Sequence, residues 1–336
     1  MSIGSDRELR EQVMGLNGTG FTEAALAVFH FQYDNNKIYR SYCDILETVP
    51  AEIRTVEQIP FLPISFFKTH DICSGDFKEE LHFESSGTTG SVNSRHFVKD
   101  KTLYEESFIK TFRQFYGDET KFCIIGLLPS YLERSRSSLV YMVQELIKRS
   151  GHANSGFYLH DHEKLRTVLK ENETAGQRTV LIGVTYALLD LAEDHPLPLR
   201  NTIIMETGGM KGRREELSRK EVHEILCSQF GLKQIHSEYG MTELLSQAYS
   251  SGSGIFYCPP WMKILLRSED DPFEVFSNAS ENKPRSGAIN IIDLANLYSC
   301  SFIATDDMGM LHADGSFEVT GRLDNSDLRG CSLMYI

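Results

Sequence analysis

No C-x-x-C pair occurs in the sequence, and the seven cysteines, Cys43, Cys73, Cys123, Cys227, Cys258, Cys300 and Cys331, are scattered and odd in number. That pattern argues against a disulfide framework or a structural zinc site, and for a reducing, cytoplasmic setting. No run of about 18 apolar residues is present, so no membrane span is expected. The N-terminus, MSIGSDRELREQVMGLNG, has no apolar centre of the kind a signal peptide needs. Basic residues are the minority, 34 Lys and Arg against 47 Asp and Glu, giving a net charge of −13. A face-wide basic patch for nucleic acid is thereby excluded, while a local basic pocket for phosphates is not. Internal repeats, low-complexity tracts and long linkers are also missing.

What is present is a chain of 336 residues with 41% hydrophobic and 24% charged residues, enough for one large α/β domain or two closely joined ones. Residues 1–50 read as helical, with apolar residues at helical spacing at Phe21, Ala24, Ala25, Val28 and Phe29. In IPFLPISFFKTH (59–70), Pro60 and Pro63 forbid a regular helix, so an extended segment packed through Phe61, Phe66 and Phe67 is expected. Short apolar strands then alternate with helical stretches. Strands are expected at 122–128, 179–184, 201–207 and 234–240, with helices at 137–150, after 184, and at 213–230. Such alternation predicts βα units and a mostly parallel sheet. After about residue 255 the pattern changes to short strands and turns, including the hairpin signal Asp314-Gly315.

Three segments carry chemistry. Ser85-Ser86-Gly87-Thr88-Thr89-Gly90 combines two glycines with four hydroxyls. Glycines let the backbone present its N–H groups to an anion, and hydroxyls add donors, so the loop suits triphosphate oxygens. It also reads as a solvated turn, and no Lys follows the second Gly as a Walker phosphate loop requires. The second segment is Glu238-Tyr239-Gly240-Met241-Thr242-Glu243, at an expected strand end where α/β sheets bind ligands. Glu243 could hold Mg²⁺, and equally could be a first-turn Glu of a helix. The third comprises Thr305-Asp306-Asp307 and Gly321-Arg322-Leu323-Asp324, acidic and basic groups suited to ribose and phosphate or to an ordinary surface ion pair. His160 and His162 have metal-like spacing but no visible third ligand, and read as a helix-start surface segment.

Taken together, the order and spacing of these segments resemble the adenylate-forming superfamily of acyl-CoA synthetases, adenylation domains and luciferases. IPFLPISFFKTH, LLPSYLERSRSSLVYM, ETGGMKGRREELSR and GRLDNSDLRGCSLMYI resemble more closely the LuxE-type acyl-protein synthetases, from about residue 20 to the end. The resemblance implies an α/β fold like the large N-terminal region of adenylate-forming enzymes, with stacked α/β subdomains and a small β-rich part. Residues 1–320 would form that domain, and 321–336 a short hinge and tail. It implies ATP and Mg²⁺ as cofactors and a carboxylic, fatty acid as substrate. Ser85, Ser86, Gly87, Thr88, Thr89 and Gly90 would wrap the phosphates, and Tyr239 would stack on adenine beside Gly240. The backbone near Gly208 and Gly209 would line the base. Thr242 would contact the α-phosphate, Glu243 would hold Mg²⁺, and Asp307 would bind the ribose with Arg322 beside it.

The sequence departs from the superfamily in three places. Ser91-Val92-Asn93-Ser94-Arg95 replaces the usual Pro-Lys-Gly, so the missing charge is absent or comes from Arg95. Asp306 stands where the Thr-Gly-Asp segment has Gly. The sequence ends twelve residues beyond Asp324, so the mobile C-terminal domain and its Lys are expected to be lacking. A different acyl acceptor is then needed, and Cys331 resembles the C-terminal cysteine acylated in LuxE-type synthetases. A thiolate on a flexible tail, with Arg329 nearby, could take the acyl group and swing it to a partner such as an acyl reductase. Two alternatives stay open: an acyl-CoA ligase or acyltransferase completed by another chain, and an inactive nucleotide-binding partner.

Overall fold

The computed structural model describes residues 6–85, 92–129, 133–194, 196–208, 217–279 and 283–323. Helices α1 (Asp6–Met14), α2 (Phe21–Asn35) and α3 (Lys37–Ile45) precede the short strand β1 (Leu62–Pro63) and a single helical turn, α4 (Phe66–Thr69). A hairpin of β2 (Leu81–Glu84) and β3 (Arg95–Val98) leads into α5 (Lys101–Tyr116). Strands and helices then alternate: β4 (Cys123–Leu127), α6 (Ser138–Ser150), β5 (Gly156–Phe157), α7 (His162–Ala175), β6 (Thr179–Gly183), α8 (Thr185–Asp194), β7 (Thr202–Glu206), α9 (Arg219–Phe230) and β8 (His236–Tyr239). The remainder is β-rich, with β9 (Ala248–Ser250), β10 (Met262–Arg267), β11 (Val275–Phe276), β12 (Arg285–Asp293), β13 (Phe302–Leu311) and β14 (Phe317–Arg322).

The alternating region forms one sheet in the order β5-β4-β6-β7-β8-β9, parallel throughout except for β9, which runs antiparallel to β8. Its central strands are apolar on both faces because both faces are covered. Cys123, Ile125, Leu127, Leu181 and Ile204 pack in a core with residues of α7, α8 and α9. Their neighbours Ile124, Val180, Ile182 and Met205 pack on the other face with Phe108 and Phe112 of α5 and Val143 and Leu146 of α6. The second large sheet runs β1-β13-β12-β10-β11, with β14 added to β13. Its pairs are antiparallel apart from β1 with β13. No helix of the described residues is long and apolar enough to cross a membrane, and the six described cysteines are free.

Three local expectations need correction. The helical run from Phe21 is broken at Asn36, whose buried side chain accepts from Tyr39 N at 3.0 Å and donates to Ser299 O at 3.0 Å. Asn36 thus starts a new helix and ties it to the chain near β13. Residues Phe66 and Phe67 are helical rather than extended, because Pro63 constrains only the residues at and before it. Within the described part of the charged stretch the helix begins at Arg219, because Ser218 and Glu221 form a reciprocal capping box.

Between β8 and β9 the chain passes through an irregular but buried stretch, Leu244 to Gln247. Asp293, at the end of β12, accepts hydrogen bonds there from Leu245 N (2.8 Å), Ser246 N (2.9 Å) and Ser246 Oγ (2.6 Å). Burial pushes its carboxyl up to about 6 against these donors. Asp293→Ala strands two buried N–H groups and is expected to lower the unfolding free energy by roughly 3 kcal/mol or more. Urea denaturation measures it, and a loss under about 1 kcal/mol would remove Asp293 from this role.

Candidate active site

The parallel strands β4, β6, β7 and β8 all end on one edge, and the residues immediately beyond them line a cleft of about 570 Å³. Leu128 follows β4, Val184 follows β6, Thr207 and Gly208 follow β7, and Gly240 follows β8. Ligands of open α/β sheets bind outside the carboxyl ends of the strands, where backbone groups are free and loops can vary. Helix α6 closes one side with Leu139, Val140 and Met142.

Gly208 and Gly240 are required by geometry. Gly208 adopts φ +75°, a left-handed conformation that lets the chain leave β7 sharply. A Cβ on Gly240 would lie 2.5 Å from Glu238 Oε1 and 3.4 Å from Gln247 Cγ. Any side chain there would displace the Glu238 carboxyl.

The tip of the β2–β3 hairpin reaches the same edge. Ser94 N donates to Ser85 Oγ at 2.9 Å, and Ser85 N donates to Ser94 O at 3.1 Å, closing the base of the Ser/Thr/Gly loop. Ser94 in turn hydrogen-bonds Glu243. His96 on β3 contacts Thr242 O through Nδ1 at 2.7 Å. Burial lowers the His96 imidazole to about 4, so it is neutral and donates that bond. Hydroxyl-rich loop and Thr242-Glu243 segment, some 150 residues apart in sequence, are thus held against each other. Burial raises the Glu243 carboxyl, opposed by the Ser94 hydrogen bond and the charges of Lys68 and Arg322. The Arg95 guanidinium lies 2.9 Å from Asp71, away from the role of replacement cation.

Asp307 lies on β13. It accepts from the Tyr239 hydroxyl at 2.9 Å and from Arg322 Nε at 3.1 Å, and β14 pairs Arg322 with Asp307 in register. Its neighbour Asp306 is not part of that arrangement. The Tyr239 ring is buried and meets Phe317 edge-on at 5.4 Å, with Phe256 at 5.9 Å. Ser85, Gly208, Gly240 and Thr242 line the cleft, Tyr239 and Glu243 adjoin lining residues, and Asp307 and Arg322 attach through Tyr239. Ser86, Gly87, Thr88, Thr89, Gly90, Gly209, Asp324 and Cys331 lie outside the described residues. His162 opens α7 and His160 is exposed, 2.8 Å from Glu133. Among the described residues, no group of three or more His, Cys, Asp or Glu is placed to hold a metal ion.

The sequence reading missed a pair of carboxyl groups under the cleft. Glu206 accepts from Thr185 Oγ1 (2.5 Å) and Gly208 N (2.7 Å), with His223 Nε2 3.9 Å away. Burial pushes its carboxyl up, but His223, Thr185 and the Gly208 amide outweigh that and hold it below the usual range. Glu238 receives no such donors. Burial first, and the Glu206 charge second, push it up to about 8. The only signal was the E-Y-G pattern, which puts Glu238 and Gly240 on one face of a strand.

The fold is similar to that of ATP-bound MatB from Rhodopseudomonas palustris, with TM-score 0.53 and 16% identity over 72% of this chain and 47% of that one. It is also similar to an ATP-bound RpMatB–BxBclM chimera, with TM-score 0.54 and 14% identity over 72% of this chain and 47% of that one. A luciferase-like enzyme from the nonluminescent mealworm Zophobas morio gives TM-score 0.51 and 16% identity over 76% of this chain and 60% of that one. The expected α/β fold, with its added β-rich part, is thus shared with these structures. This chain spans about half the length of the two MatB structures it matches. No family model and no curated protein matches the sequence.

A folded-state carboxyl raised to about 8 contributes stability below its unfolded value, and that contribution is lost as pH rises through about 8. The melting temperature of the wild type should therefore fall more steeply between pH 5 and 9 than that of Glu238→Gln. Parallel melting curves across that window would place Glu238 in an ordinary solvated environment.

Proposed function

We propose that this chain activates a carboxylic acid with ATP, forming acyl-AMP and pyrophosphate. The observation that supports this reading is the convergence of three sequence-distant segments on one strand-end cleft: the Ser85–Ser94 hairpin tip, Gly240 to Glu243, and the Tyr239–Asp307–Arg322 chain. In the reaction, a carboxylate oxygen of the acid attacks the α-phosphorus, the bond to the bridging oxygen breaks, and pyrophosphate leaves. Thr242, at the mouth of β8, would contact the α-phosphate, and Ser85 with residues 86–90 would hold the outer phosphates. Tyr239 with Gly208 and Gly209 would form the adenine side, and Asp307 with Arg322 the ribose side.

Mg²⁺ usually takes one or two protein carboxylates and completes its shell with phosphate oxygens and water, so a single buried Glu243 beside the hydroxyl loop fits it. When bound, the ion would neutralise charge developing on the phosphates. Glu243 would orient it, and Ser94 would orient Glu243.

The finer reading is an acyl-protein synthetase of the LuxE type acting on a fatty acid. The Cys331 thiolate would attack the acyl carbonyl, AMP would leave, and the thioester would pass its acyl group to an acceptor such as a reductase. The support is sequence resemblance together with the position of Arg322 at the end of β14, nine residues before Cys331. Residues 1–320 would then be the adenylate-forming domain and 321–336 the tail carrying the acceptor.

ATP–pyrophosphate exchange across a panel of carboxylic acids tests the first half-reaction. Glu243→Ala should lower exchange about a hundredfold with the fold intact, the effect of one lost electrostatic contact to the transition state. Exchange within about threefold of wild type would remove Glu243 from the mechanism. Cys331→Ser should keep exchange but lose the acyl mass that neutral hydroxylamine removes, because a serine hydroxyl is a far weaker nucleophile. A hydroxylamine-labile acyl group on that variant, or label on another cysteine, would overturn the finer reading.

A further inference from the structure

The cleft wall contains two polar side chains that the proposed chemistry does not use. Glu238 lines the cleft, half-buried, and burial together with the Glu206 charge sets the state of its carboxyl. Gln247 also lines it, is only 4% exposed, and its Oε1 has no partner. The two meet beneath Gly240, where a Cβ would touch Glu238 Oε1 at 2.5 Å and Gln247 Cγ at 3.4 Å. A buried acceptor without a partner, as Gln247 Oε1 is, is rare in native proteins, because the desolvation cost is not recovered. Of the two arginines that line the cleft, Arg134 and Arg136, Arg136 is engaged by Glu84.

The same cleft is lined by Leu139, Val140 and Met142 of α6. A plain alkyl chain would satisfy those residues and leave both polar groups desolvated. An acyl chain carrying a donor would satisfy both. The sign of the local potential points the same way, since Glu206, held ionised by His223, Thr185 and the Gly208 amide, lies close enough to raise Glu238. A donor is favoured beside the ionised Glu206 and an anion is not.

We infer that the acid activated in this cleft bears a hydroxyl or amino group on its acyl chain, received by the carboxyl of Glu238 and the amide oxygen of Gln247. The inference rests on the proposed acid activation and narrows its substrate class. Glu238 and Gln247 are specificity residues in this scheme and take no part in phosphoryl transfer.

The test is ATP–pyrophosphate exchange by the wild-type protein with straight-chain acids of equal length in plain, hydroxylated and aminated forms. Either substituted series should exceed the plain series in kcat/KM by at least about tenfold, since a site built around a polar substrate group rejects the analogue lacking it. The hydroxyl and amino arms identify which donor is used. Glu238→Leu and, independently, Gln247→Leu should shift preference toward the plain acid while KM for ATP changes less than about threefold. Equal kcat/KM for plain and substituted acids overturns the inference. So does a rise in KM for ATP with acid preference unchanged in both variants, which would assign the pair to the purine amino group instead. Exchange with no acid of the panel overturns acid activation and this inference together, whereas exchange without preference overturns this inference alone.

Discussion

A buried loop with no strand partner is the constraint on which the candidate site depends. From Met241 to Gln247 the chain has neither helix nor sheet hydrogen bonds, yet most of it is inaccessible to water. Its backbone groups must find partners elsewhere or the loop would not stay buried. They do so through side chains from distant elements. His96 satisfies Thr242 O, Asn296 Nδ2 satisfies Glu243 O at 2.7 Å, and Asp293 takes the N–H groups of Leu245 and Ser246. Thr242 and Glu243 are consequently fixed from both sides, by the hairpin and by the end of β12. Such rigidity suits groups that must act on charge developing during a reaction without reorganising first.

Neighbouring carboxyl groups at the strand ends show how the same burial produces opposite charge states. Glu206 and Glu238 both leave water, and desolvation raises both. Glu206 recovers more than the loss from a hydroxyl, an amide and an imidazole. Glu238 recovers nothing and feels the Glu206 charge besides. Burial first, and the Glu238 charge second, raise the hydroxyls of Tyr104, Tyr116 and Tyr249. One carboxylate is therefore a fixed structural anion beneath Gly208, and the other is a responsive group in the wall of the cleft.

The parallel sheet was legible because covered strands leave continuous apolar runs. FCIIGLL, TVLIGV and NTIIMET fold within a residue or two of their expected bounds. The three motifs were legible because each combines residue types that few backbones need together. What stayed hidden were the side chains whose meaning is purely tertiary. Periodicity treated Asn36 as one more helical residue, although its amide must reach Ser299. Ser94 looked like loop filler, yet it couples Ser85 to Glu243. Gln247 carried no local signal whatever, because an orphaned amide is defined by neighbours 100 or more residues away, such as Tyr104 and Met142 across the cleft. The Ser218–Glu221 pair that starts α9 is by contrast a local signal, a Ser followed three residues later by Glu.

Asp307 illustrates how a residue can be structural and remain able to bind. Its two oxygens are each engaged once, Oδ2 by the Tyr239 hydroxyl and Oδ1 by Arg322 Nε. A carboxylate offers about four acceptor positions, so two further donors can be accommodated without displacing either partner. The existing bonds set where those positions point, because Tyr239 is wedged between Phe256 and Phe317 and Arg322 is held by its register with β13. Two vicinal hydroxyls of a ribose need a carboxylate with that spare capacity and a fixed orientation. Tyr239 thereby couples the sugar side of the proposed site to Gly240 and the cleft, one residue away, and a shift of β14 would be felt at the strand end through a single hydroxyl.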